Sequence, residues 1–480
     1  MKTLKLFVTL LILTLASHSL APQYLQAQSL YQSQQLAKQE AAREARKKKK
    51  ELLLRLQRES AAAARNQAGG SGSGQSSAIG SQNLAGNGSK TDSASGVQLS
   101  DQGDSYTRIK GTAVFDKDKI PPCNSVGPEA CLKAMLSSKS CQNCDLSGLE
   151  LSGRNFSKKD LRGAKFTGAN LKGTNFTGSM LDDSDFTDAD MRKANLMGTN
   201  LAGVTLNGSN LYKANLSGAN LDQTLIQGAN FASAVMENAT LNGIKGRESN
   251  FKKANLKGAK INDSIFDKAN LSGANLSDAN LTGNRFDGTN LDKAWLYRAN
   301  MKNNDFTSAS LRGAKIWKAN LDGAKLQKAD FTGSDFSDAN LQNVNSYKAK
   351  FNNSNFKNAS LADAIHAGAD FSGANLQGVS LTGSNLAGAM FEEANLNKAD
   401  LSRTTLSGAN MRGADLREVN FSDSTLTGAN LKGANLENAT LQGAKFKGVV
   451  FDNSIWVNGK PCEAGSTGKC NQRSAENFQY

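Results

Sequence analysis

The residues of this 480-residue chain best suited to chemistry are six cysteines and a histidine. Cys123, Cys131, Cys141, Cys144, Cys462 and Cys470 form an even set, which in an oxidising compartment points to disulfides. Pro122-Cys123 to Cys131 and Pro461-Cys462 to Cys470 share the spacing P-C-x7-C, and the second pair stands alone in the tail. Closing so short a loop contributes roughly 2–3 kcal/mol. Cys141-x-x-Cys144 is open to two other chemistries, a redox pair or half of a zinc site. No βαβ pattern surrounds it and no second CxxC exists, so a bridge or tether is expected, with its pairing left open. His366 is the one histidine beyond His18, and it replaces a Leu or Phe at an inward position, which fits a core residue better than a base. The carboxylates are spread over outward positions, and the glycines, as at Gly163, Gly173 and Gly273, mark bends and not a phosphate loop. These features predict a protein that is not an enzyme and takes no metal or cofactor.

What must position these groups is a run from Leu146 to Trp456 in which a bulky apolar residue returns every five positions with no insertion. Gly246, Ser346 and His366 alone break the rule. Two residues earlier stands mostly Ala, as in Ala269, Ala274 and Ala279 of ANLSGANLSDANL. A helix repeats at 3.6 and a strand at 2, so a five-residue period requires a coil that turns a corner in each repeat, an all-β solenoid. Asn, Asp and Gly on the outward positions tolerate that bend. About sixteen coils at ~4.8 Å give a stack roughly 70–75 Å long. Each buried Leu or Phe contributes ~1.5–3 kcal/mol, so disulfides are not needed to hold the core.

On these residues the chain resembles the pentapeptide-repeat family, whose pattern is A-[ND]-L-x-x. The segment CQNCDLSG, Cys141 to Gly148, is similar to a common start of the family's repeats, and the tail WVNGKPCEAGSTGKC, Trp456 to Cys470, is similar to the ending of exported members. The resemblance implies a right-handed quadrilateral β-helix with four pentads per coil, so residues twenty apart share a side. Gly246, Ser346 and His366 then fall on one side. Tyr297 and Trp317 stack on adjacent rungs beside Trp295, with Arg298 and Lys318 in the next column, and these five form the candidate binding surface. An aromatic pair beside two cations suits a sugar ring, an anionic polymer or a partner side chain, while a self-satisfied aromatic ladder is the structural alternative.

The remaining segments flank the run. Residues 1–27 carry Lys2, Lys5 and the apolar stretch Leu6 to Leu15, a secretory signal whose cleavage point is open. Residues 28–67 contain neither Gly nor Pro and hold ten basic against four acidic residues. They predict a basic helix or weak coiled coil with an attachment patch at Arg43, Arg46, Lys47, Lys48, Lys49 and Lys50. Residues 68–105 are a disordered Gly/Ser-rich linker, 106–145 an N-terminal Cys-containing cap, 146–456 the repeats, and 457–480 a C-terminal Cys-containing cap and tail. The net charge is +14. The combined reading is an exported, periplasmic or extracellular rod that acts as an envelope scaffold or binding protein. Its expected partners are a protein or an anionic envelope polymer, with the basic helix able to meet a membrane surface. Two alternatives stand beside it: a DNA-mimic topoisomerase-interacting protein, and a secreted effector or adhesin-like protein. Export and the basic balance disfavour nucleic acid and its mimicry.

Overall fold

The computed structural model describes residues 140–472 together with Leu132 and Lys133. The expected signal, the basic helix with Arg43 to Lys50, the linker and most of the N-terminal cap, including Cys123 and Cys131, lie outside the described residues.

The repeats form a β-solenoid. Parallel bridges join each outward residue just before an inward one to the residue twenty positions on, from Ser140↔Asp160 to Asn435↔Ile455. A coil therefore takes four pentads and has four sides, named here by the residue each gives to the last coil: Leu441, Phe446, Phe451 and Trp456. Within a pentad the corner is closed by the small residue, as where Ala299 N–H donates to the Leu296 carbonyl at 3.1 Å. Between coils the inward residue donates upward, Leu276 N–H to the Trp295 carbonyl at 2.7 Å, and the residue before it donates downward, Asn300 N–H to the Ala279 carbonyl at 2.9 Å. The backbone is thus satisfied by the neighbouring coil.

Side-chain types follow from these positions. Below the last coil the inward Leu and Phe are fully buried, and the residue two positions earlier, mostly Ala, is buried with them at the corner. Asn beside the inward residue serves two bonds: Asn215 Oδ1 accepts from Ser217 N–H at 3.1 Å, and Asn375 Nδ2 donates to Asn355 Oδ1 one coil below at 3.0 Å. The last position of each pentad has left-handed backbone. At Gly383 φ is +72°, which glycine adopts without strain, and an added Cβ would lie 2.5 Å from Asp363 Oδ1, so a larger residue there would displace that carboxylate. Inside, phenylalanines twenty apart stack: Phe331, Phe351, Phe371 and Phe391 follow one another at 5.2, 4.9 and 5.1 Å.

Both ends of the stack carry a disulfide. Cys141 is bridged to Cys144 and Cys462 to Cys470. The tail reverses after Asn458 and runs back antiparallel over two sides of the last coil, pairing Ile455 with Pro461 and Val450 with Thr467.

Candidate functional site

The Trp456 side positions the aromatic cluster. Bridges place Trp295, Lys315 and Asp335 in one column, and Tyr297, Trp317 and Ser337 stand two residues on in the next. Tyr297 and Trp317 lie 4.9 Å apart at a 33° tilt, and Trp295 meets Trp317 edge-on at 6.3 Å. Trp295 is 52% exposed, whereas Trp317 and Tyr297 are half-buried. A cavity of about 300 Å³ opens here, lined by Trp295, Lys315, Trp317, Asp335 and Ser337. Its carboxylate is fixed: Asp335 accepts from Ser337 N–H at 3.1 Å and from Asn355 Nδ2 at 3.2 Å.

Of the five expected residues, Trp295 and Trp317 line this cleft and Tyr297 braces Trp317 from the rung below. Arg298 is engaged elsewhere. Its guanidinium pairs with Asp278 at 2.5 Å and lies over the Tyr297 ring at 5.0 Å, and the Asp278 hydrogen bond raises its already high pKa. Lys318 is exposed in the outer column and does not line the cleft. The cation that does is Lys315, which sequence reasoning missed although it lies twenty residues after Trp295. Column spacing was the available signal, and it also gives Asp335, Ser337 and, twenty before Arg298, Asp278.

Ser346 and His366 meet inside the Phe446 side, with Ser346 Oγ 2.6 Å from His366 Nδ1. A hydroxyl on an imidazole is the geometry of an activated nucleophile. Both residues are 0% exposed, so this pair has no route to a substrate and acts in the core. Burial pushes the His366 pKa down to about 4, offset in small part by the Leu361 carbonyl, and Nε2 has no partner at hydrogen-bonding geometry. Among the described residues no group of three or more His, Cys, Asp or Glu is placed to hold a metal ion. The two bridged pairs leave Cys141, Cys144, Cys462 and Cys470 with structural roles at the ends of the stack.

Comparison with known proteins gives family models and solved structures. A model described as "Pentapeptide repeat region" matches residues 139–216. A second, "Pentapeptide repeats (8 copies)", matches successive segments from 226–263 to 414–453. No curated protein matches the chain. Among solved structures, full-length QnrB1, a plasmid-mediated fluoroquinolone resistance protein, is 23% identical, with 43% of this chain and 92% of that one covered and a TM-score of 0.30. HetL, involved in heterocyst differentiation regulation in the cyanobacterium Nostoc sp. strain PCC 7120, is 22% identical over 69% of this chain and 98% of its own, with a TM-score of 0.15. Rfr23 from the cyanobacterium Cyanothece 51142 is 25% identical over 28% of this chain and 95% of its own, with a TM-score of 0.20.

Proposed function

This chain belongs to the pentapeptide-repeat family, and on that footing we propose that it is a non-enzymatic, exported binding rod of the cell envelope. The cleft between Trp295 and Trp317 carries the reading. An exposed Trp and a half-buried Trp braced by Tyr297, beside a cation and a fixed carboxylate, are the composition of a protein-binding hot spot, and the surrounding repeat shows mainly small polar groups. The proposed occupant is a protein partner that lays an apolar group on the two indoles and an acidic one against Lys315. Export is supported by the Lys2–Leu15 pattern and by disulfides at both ends of the stack, which persist in oxidising compartments. The basic residues Arg43 to Lys50 provide the attachment to an anionic polymer or membrane surface.

Crosslinked capture from isolated envelopes tests this with three chains: the native one, one with Trp295→Ser and Trp317→Ser, and one lacking residues 28–67. The double substitution is expected to lose a protein that the native chain captures while keeping its β circular-dichroism signal. Deletion of 28–67 is expected to keep that protein and lose salt-sensitive association with anionic material. Retained capture by the double variant rejects the cleft, and its unfolding identifies the aromatics as a ladder that only joins coils.

A further inference from the structure

Among the described residues the C-terminal end of the solenoid is only half covered. In the coil below the last, four N–H groups on the Leu441 and Phe446 sides donate upward: Phe421 to the Thr440 carbonyl, Asp423 to Gln442, Leu426 to Lys445 and Gly428 to Lys447, all at 2.8–2.9 Å. In the last coil the returning tail supplies acceptors on two sides, where Phe451 N–H reaches the Ser466 carbonyl and Trp456 N–H the Lys460 carbonyl, each at 2.8 Å. On the Leu441 and Phe446 sides nothing replaces it. Among the described residues the N–H groups of Leu441, Gly443, Phe446 and Gly448 have no acceptor, and the upward carbonyls of Ala439 and Ala444 have no donor.

The side chains show the same gap. Phe421 and Leu426 are fully buried, whereas Leu441, Ala444 and Phe446 above them are only partly so. The described tail, to Gln472, does not go on to close it. The Cys462–Cys470 bridge, the Glu463 N–H to Asn471 carbonyl bond and the Gln472 contact with Asn458 turn the chain back toward the Trp456 side. What remains is a two-pentad strand edge with free donors and acceptors, a template for strand addition. Exposed Lys445 and Lys447 flank Phe446 on this edge, and among the described residues neither is ion-paired.

We propose that this half-rung is a docking edge for an extended acidic peptide of a partner protein. The peptide would be about ten residues long, adding main-chain hydrogen bonds to Leu441–Gly448, placing apolar side chains over Leu441 and Phe446, and setting carboxylates against Lys445 and Lys447. The edge lies on the last coil and is independent of the Trp295 cleft.

The test uses the full chain and a capped synthetic decapeptide with two Leu five residues apart, each flanked by Glu, against the same peptide with Lys for Glu. Amide hydrogen exchange is followed by mass spectrometry over 440–448, with 421–428 in the coil below as the internal measure of folding. The Glu peptide is expected to slow exchange over 440–448 by at least about tenfold, and the Lys peptide to leave it unchanged. K445E together with K447E is expected to reverse that preference with 421–428 unaltered. Four outcomes overturn the proposal: no protection by the Glu peptide, protection indifferent to charge, protection that grows with protein concentration alone, which marks a second copy, or protection in the free chain that is lost on removing residues 473–480.

Discussion

Protonation of His366 sets the residue-scale behaviour of the core. In the unfolded chain the imidazole takes up a proton near pH 6.5, but in the folded stack burial holds it neutral until about pH 4. The unfolded state therefore binds more protons throughout that window, and acidification favours it. The contribution is fully present above 6.5, is lost progressively as pH falls to about 4, and amounts to roughly 3 kcal/mol. Carboxylates such as Asp160 and Asp370, whose pKa values are lowered below 3.8, act at more acid pH and do not overlap it. Denaturant titrations from pH 7 to 4.5 are expected to show this loss in the native protein and its absence in His366→Leu, which matches Leu326 and Leu386 in the same column. An equal slope in both would place the proton uptake elsewhere. The sequence already showed His366 and Ser346 twenty apart at inward positions, but not that the smaller serine lets its hydroxyl reach Nδ1. At the cleft the aromatic types were conspicuous against small polar neighbours, whereas Lys315 and Lys318 are alike as letters. Which lysine faces the indoles depends on its place before or after the inward residue.

The element that reverses the chain is the tail, and a proline explains where. Counting five from Trp456 gives Pro461, which has no N–H for the upward bond and stands after a turn at Gly459 with φ +75°. The repeat therefore stops, and the strand comes back antiparallel instead of starting another coil. A Cys-containing cap could be placed at 457–480 from sequence, but its direction could not, because parallel and antiparallel addition bury the same residue types. Cys462 is buried and its bridge to Cys470 closes the short loop that holds the reversed strand. Replacing both cysteines by Ser is expected to cost roughly 2–3 kcal/mol locally, seen as faster amide exchange at Phe451 and Trp456 with no change at Phe421. Exchange that rises throughout the stack would show that the cap controls global unfolding.

At the scale of the whole stack, the five-residue phase was plain in the sequence, but the number of pentads per coil was not, because a period of five is satisfied by any polygon. Four per coil came from resemblance, and the twenty-residue bridges now give it directly. Stability then has two parts, one carried by each pentad and one by columns at spacing twenty, and deletions separate them. Removing residues 371–390 takes out one complete coil and brings Phe391 onto Phe351, with Asn395 above Asn355, so the phenylalanine stack and the asparagine ladder both continue. Removing only 371–375 preserves the five-residue phase but rotates all later pentads by one side. Leu376 then covers Phe351, and Phe391 lands above His366. The stacked contacts of Phe371 with Phe351 and Phe391 are lost without replacement, at about 0.5–1.5 kcal/mol each, along with the Asn375 link between Asn355 and Asn395. Guanidinium unfolding followed by circular dichroism is expected to give a midpoint close to native for the twenty-residue deletion and a lower one for the five-residue deletion. Equal midpoints would mean that the pentad alone sets stability and that the columns, the aromatic ladder included, are free to vary for binding.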